Sequence, residues 1–357
     1  MLRAKTLAPP LVLVLIALAA CSAKPAPDPA LAETPKATVD KASLAVFAPL
    51  PASVPGESGR VTEEAVTLGR MLYYEPRLSK SQAISCNSCH DLANYGADGK
   101  PTSDGHKGQM GDRNSPTVFN AAGHFSQFWD GRAPDVEEQA KGPVLNPVEM
   151  AMPAEAKVIA VLESMPEYVD LFRKAFPKEK RPVTYDNMAK AIGAFERKLM
   201  TPSRWDTLLA GDASALTPEE TVGLKAFLET GCQACHNGAL LGGTSYQKLG
   251  AAKAYPGVTD PGRFKVTKVE GDRSVFKVPS LRNVEKTGPY FHDGKVASLD
   301  KAVQDMAEFQ LGKKLSPQQV RQIVVFLKVL TGRIDRDYIK PPVLPRSTAS
   351  TPKPDVS

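Results

Sequence analysis

The chain has 357 residues, 24% of them charged and 42% hydrophobic, with a formal net charge of +6 at pH 7. That length accommodates roughly two domains of about 100–200 residues each, and the composition excludes a disordered or fibrous chain. A modest positive balance without a basic cluster implies no nucleic-acid partner.

At the start, Arg3 and Lys5 precede an apolar run from Leu11 to Ala20, far short of the ~20 residues needed to span a bilayer. Residues 1–20 read as a signal peptide. The sequence LAAC, Leu18 to Cys21, resembles a bacterial lipobox, whose cysteine is acylated and becomes the mature N-terminus; a plain cleaved signal with an incidental Cys21 is the alternative. Residues 21–57 are rich in Pro and Ala and suit an extended tether. Export to the periplasm follows, with membrane contact only through a lipid on Cys21; Ser22 after it favours the outer membrane over the inner.

The folded body is expected over residues 58–340, as an N-terminal domain, 58–200, and a C-terminal domain, 201–340. TEEAVTLGRML, Thr62 to Leu72, can be laid over TPEETVGLKAFL, Thr217 to Leu228, so that Glu63 meets Glu219, Val66 meets Val222 and Leu68 meets Leu224. Each copy begins with a capping Thr and acidic residues that favour the helix dipole, so each predicts a helix. Further helices are predicted in AEAKVIAVLESM, YDNMAKAIGAFERKLM and SPQQVRQIVVFLKVL, where apolar residues recur at helical spacing. Strand patterns are scarce apart from a short ribbon near RFKVTKVE. The fold class is therefore mainly α, a duplicated module with few or no strands, followed by an unstructured tail at 341–357, rich in Pro and Ser.

Both predicted repeat helices lead into the same pentapeptide form, CNSCH at Cys86–His90 and CQACH at Cys232–His236, which together use four of the five cysteines. Two cysteines at this spacing can add to the two vinyl groups of haem, and the adjacent histidine then lies beneath the iron as its proximal ligand. Zinc sites, thiol-disulfide centres and structural disulfides use CxxC without requiring the next residue to be His. Two such motifs in an exported chain point to two covalent haem c groups, on Cys86, Cys89 and His90 and on Cys232, Cys235 and His236.

Only His106, His124 and His292 remain as further histidines, so candidates for the sixth iron positions are few. Met306 is the only methionine after His236 and is the candidate in the second half, where His/Met ligation raises the reduction potential; a core-filling methionine is the alternative. In the first half, a glycine-rich loop after CNSCH carries His106, with Met110 close by. A mobile loop can hold such a ligand or release it, and a surface histidine is the alternative.

With GDRNSPTVFN, FWDGRAPDVEEQAKGPVLNPVEM, VPSLRNVEKTGPYFHDGKVASLDKAV and MAEFQLG added to the two CxxCH motifs, residues 58–335 resemble the bacterial di-haem cytochrome c peroxidase family. The resemblance implies two tandem cytochrome c-type haem domains, with His90 and His106 ligating an N-terminal peroxidatic haem and His236 and Met306 a C-terminal electron-transfer haem. It implies Trp129 on the electron path between them, Glu149 as the acid-base residue, and Gln139 and Pro143 shaping its pocket. Spacing alone does not choose among Glu137, Glu138 and Glu149. It implies calcium at Asn114, Thr287 and Pro289, bound through an amide oxygen and backbone carbonyls. It gives His292 a structural or haem-environment role and leaves His124 without one.

The implied activity is reduction of hydrogen peroxide to water with two electrons, delivered singly by a mono-haem cytochrome c or a cupredoxin. Relatives of this kind often form homodimers, and that state stays open here. The rival readings are a di-haem electron carrier with no substrate, and a MauG-like oxidase that modifies another protein. That last branch has tyrosine where this chain offers Met306.

Overall fold

The computed structural model describes residues 40–56 and 61–357; the predicted signal peptide, Cys21 and the first part of the tether lie outside the described residues. The described residues contain eleven α-helices and two short strands. In chain order the helices are α1 (Glu63–Tyr73), α2 (Cys86–Cys89), α3 (Val136–Leu145), α4 (Glu155–Glu163), α5 (Pro166–Ala175), α6 (Tyr185–Glu196), α7 (Arg204–Leu209), α8 (Pro218–Thr230), α9 (Phe264–Thr267), α10 (Leu299–Asp305) and α11 (Pro317–Val329).

The repeat predicted from sequence forms α1 and α8. Thr62 caps α1 by accepting from the Ala65 amide, and Thr217 caps α8 in a reciprocal capping box with Glu220. Each lies against a later helix of its half, α1 on α6 and α8 on α11. Both crossings are close because a glycine stands at the contact: a Cβ on Gly69 would fall 1.8 Å from the Ala191 carbonyl oxygen, and one on Gly223 would fall 2.2 Å from that of Gln322. The two glycines are not equivalent under the repeat, so the copies meet their partners at different points.

Buried apolar side chains form two clusters. One gathers Leu68, Leu72, Leu162, Phe172, Ile192 and Phe195 with Ile334 and Ile339; the other gathers Trp205, Leu224, Phe227, Phe326 and Leu327 with Phe47. Phe47 lies edge-on to Trp205, and the Leu50 amide donates to Asp206 at 2.8 Å. The end of the Pro/Ala-rich segment is thus packed rather than extended.

The strands β1 (Tyr246–Lys248) and β2 (Val275–Lys277) pair antiparallel with Tyr246 opposite Lys277. The ribbon expected near RFKVTKVE is not there. Phe264–Thr267 form α9, and Val275–Lys277, a few residues on, form the strand. Residues 341–357 have no helix or strand, yet they lie along the first half: Gln82 donates to the Pro352 carbonyl at 2.8 Å and the Asp355 amide to that of Lys80 at 2.9 Å. Proline removes donors without preventing an extended segment from docking through its carbonyls. None of the helices among the described residues is long and apolar enough to cross a membrane.

Candidate active site

In both CxxCH motifs the histidine amide returns to the carbonyl of the first cysteine, His90 to Cys86 and His236 to Cys232, each at 3.0 Å. That single turn sets two thiols and an imidazole beside one cavity. His90 Nδ1 donates to the Pro116 carbonyl at 2.9 Å and His236 Nδ1 to the Leu241 carbonyl at 3.1 Å. A carbonyl can only accept, so Nδ1 carries the proton and Nε2 keeps its lone pair, the arrangement of a metal-bound histidine. Burial pushes both imidazole pKa values down, which favours the neutral ligand form. The four described cysteines are free thiols, and burial raises their pKa, that of Cys232 to about 12. Unpaired thiols beside a neutral imidazole fit covalent haem in both places.

The two cavities differ in chemistry. The one holding Cys232, Cys235 and His236 has a volume of about 190 Å³ and is lined chiefly by apolar side chains, including Leu281, Val303 and Leu327. Met306 and His292 also line it. Met306 opens a single π-helical turn, Met306–Gln310, directly after α10. Such turns are rare and recur at functional sites because they re-aim one side chain. His292 stacks on Phe276 with 4.2 Å between ring centres.

The cavity holding Cys86, Cys89 and His90 is larger, about 580 Å³, and has charged and polar walls. Gln139 and Pro143, one helical turn apart on α3, line it together with Glu149 and Phe128. Asn146 Nδ2 donates to Glu149 Oε1 at 2.8 Å. Burial raises the Glu149 pKa against the opposing pull of Arg132 and Asn146. Glu137 is instead bound by Arg197 through two contacts of 2.7 Å, and Glu138 by Lys141 at 2.6 Å. Neither of those two carboxylates lines the cavity.

Trp129 lines both cavities, and its indole Nε1 donates to the Asn114 carbonyl at 2.9 Å. Asn114 is tied in turn to His292, whose carbonyl accepts from its amide at 2.8 Å, three residues beyond Pro289. Asn114 donates through Nδ2 to the Lys100 carbonyl at 2.9 Å, and Pro289 follows a cis bond.

His106 lines neither cavity, although its neighbour Gly105 lines the larger. The His106 amide donates to the carbonyls of Val148 and Glu149 at 3.1 and 2.8 Å, and its Nε2 lies 3.3 Å from the Ser357 main-chain oxygen. Nδ1 is buried without a partner. The structure therefore brings together His90, Gln139, Glu149 and Trp129, and sets His236 with Met306, while the His106 imidazole lies apart.

Sequence reasoning passed over Glu196 and Lys277, which also line the larger cavity. Each is a charged residue embedded in an apolar run, AIGAFE in α6 and VFKV around β2. That was the available signal.

The family model for di-haem cytochrome c peroxidase matches residues 63–214. The chain is 50% identical to the cytochrome c551 peroxidase of Pseudomonas aeruginosa over 88% of its own length and 92% of the relative's. It is also 50% identical to the cytochrome c551 peroxidase of Nitrosomonas europaea, covering 80% of this chain and 85% of that one. Identity falls to 32% with the methylamine utilization protein MauG of Methylorubrum extorquens, over 82% and 85% of the two chains. Among solved structures, a MauG-like protein associated with microbial copper homeostasis superposes with a TM-score of 0.74 at 27% identity, covering 82% of this chain and 97% of that one. Free CxxCH thiols at two cavities and half-identity along nearly the whole chain lead to one assignment: the chain belongs to the di-haem cytochrome c peroxidase family.

Proposed function

We infer that the two cavities divide the work of a cytochrome c peroxidase, with peroxide reduced in the larger and electrons received through the smaller. The chain is an enzyme that reduces hydrogen peroxide with electrons from a cytochrome and holds two haem c groups. Cys86, Cys89 and His90 would hold one group, and Cys232, Cys235, His236 and Met306 the other. When bound, these groups supply one-electron redox chemistry and a Lewis-acidic iron for peroxide.

The residues of the larger cavity supply the proton handling. Reduction of one peroxide to two waters consumes two electrons and two protons, and the outer oxygen must be protonated before it can leave as water. A single carboxyl can take the proton from the inner oxygen and deliver it to the outer one. Glu149 is the group that suits this: burial raises its pKa toward the range where both steps are feasible, and Asn146 fixes one of its oxygens. Gln139 and Pro143 bound the space beside it. The observation that carries this reading is the position of Glu149 in the CxxCH cavity while Glu137 and Glu138 are engaged by cations elsewhere.

The finer parts of the reading rest on the resemblance. A mono-haem cytochrome c or a cupredoxin delivers electrons to the apolar cavity, and Trp129 carries them to the larger one. His106 would be a removable ligand of the N-terminal haem, kept in the fully oxidised protein and released after one electron is added. Calcium is held by an Asn114 amide oxygen and by carbonyls of Thr287 and Pro289. The protein is exported to the periplasm and tethered through Cys21, at the outer membrane.

Steady-state peroxide consumption with reduced mono-haem cytochrome c tests the central reading, comparing oxidised enzyme with enzyme carrying one added electron. Turnover that rises sharply after that electron is expected. No turnover in either state, with both irons six-coordinate by spectroscopy, would leave an electron carrier.

A further inference from the structure

Between the two cavities lies a lysine that the peroxidase reading does not use. Lys277, on β2, lines both cavities and is only 7% exposed. Its backbone amide donates to the Trp129 carbonyl at 2.8 Å, which fixes it beside the indole that also lines both cavities. Its ammonium contacts the Ser126 carbonyl at 2.9 Å and His124 Nδ1 at 3.0 Å, both neutral acceptors. Among the described residues no carboxylate lies within 4.0 Å of it. The nearest candidate, Asp130, is occupied by Arg113 and Arg132 at 2.6 and 3.0 Å. A buried ammonium without an anion is unfavourable, and proteins pair or neutralise such groups.

His124 fixes the position of the ammonium. Because Nδ1 accepts from Lys277, the imidazole proton sits on Nε2, and that atom is buried with no partner. His124 also lines the larger cavity. One wall of the haem cavity thus carries a buried ammonium with two neutral acceptors and no anion.

We propose that Lys277, held in place by His124, forms an anion seat that takes a propionate of the haem held in the larger cavity. The proposal rests on haem being bound there, and it adds a cofactor-positioning residue beside Trp129, at the junction of the two cavities. The carboxylate supplies the charge that Lys277 lacks. The cation in turn favours the reduced haem, since reduction adds an electron next to it. Burial pulls the Lys277 pKa down to about 7, with Asp130 opposing, so in the protein alone the lysine is poised to lose its charge and an incoming anion restores it.

The test uses the haem-loaded protein and its K277Q and K277R variants, with haem content measured first and separately from peroxide turnover, so that failure of this seat is distinct from failure of the peroxidase assignment. Potentiometric titration followed in the absorption bands of each haem should show the N-terminal haem of K277Q moved to lower potential, with K277R close to the parent. Resonance Raman bands of propionate bending should move in both variants, because the donor is lost in one and replaced by a guanidinium in the other. An unchanged N-terminal potential and unchanged propionate bands in K277Q would overturn the proposal. If K277Q fails to retain both haems, K277R decides: a shifted propionate band supports the seat and an unshifted one overturns it.

Discussion

At the scale of single residues, the larger cavity discriminates among carboxylates that sequence spacing could not. Glu137, Glu138 and Glu149 lie within one short stretch, and their chemistry is identical; what separates them is that the first two stand in the opening turn of α3, while the turn after α3 carries Glu149 to the cavity. Removing the proton carrier without changing shape gives a direct test. E149Q is expected to lower peroxide turnover by about 10²- to 10⁴-fold, the usual contribution of a positioned acid-base group. Haem content and the potential of the C-terminal haem should stay as in the parent. E138Q breaks only a largely exposed pair with Lys141, so it should leave turnover unchanged and alter stability by at most about 1 kcal/mol. Steady-state kinetics on both variants settles the comparison, and equal losses would remove Glu149 from the mechanism.

At the scale of elements, α6 joins packing to the site. Its apolar face meets α1 across Gly69, and its last residue, Glu196, turns a carboxyl into the larger cavity while being only 4% exposed. Burial raises its pKa to about 8, with repulsion from Glu137 adding and Arg197 opposing. The native state therefore holds a proton that the unfolded chain releases near 4.5, so the contribution of this group to stability is full below 4.5 and is lost as pH rises to about 8. E196Q removes that dependence. Its melting temperature should match the parent near pH 4.5 and exceed it increasingly toward pH 9; a constant difference across that range would contradict a buried neutral carboxyl. Helices such as α1, α8 and α11 were legible in sequence because capping residues and helical spacing are local signals. Glu196 and Lys277 were not, because pattern reading sends every charge to solvent and only tertiary packing shows which charges are enclosed. The misplaced ribbon has a related cause: alternation in RFKVTKVE is local, whereas the strand that forms at Val275–Lys277 is stabilised by distant pairing with Tyr246–Lys248.

At the scale of the whole molecule, the two clusters are tied together by the chain itself. Phe47 joins the second cluster from before α1, and Ile334 and Ile339 join the first from beyond α11. Asn120, Thr201 and Asn283, all fully buried, share hydrogen bonds of 2.8–3.0 Å between the two halves of the sequence. On this frame the proposed opening falls to the segment bearing His106. Its imidazole lies outside the larger cavity, near Ser357, with Nδ1 buried and unpartnered, a loss of about 1–3 kcal/mol. Its neighbours Lys107 and Gly108 adopt positive φ of 60° and 70°, and the His106 amide ties the turn to the Val148 and Glu149 carbonyls. If the oxidised enzyme is closed by His106 and opened when it departs, H106G must be open from the start. Fully oxidised H106G is then expected to consume peroxide without a prior electron, at the rate that the parent reaches only after receiving one. The required measurement is the initial rate with and without prereduction, on protein shown to carry both haems. A variant that still waits for the electron would mean that closure is imposed elsewhere, and that this loop reports the redox state without controlling it.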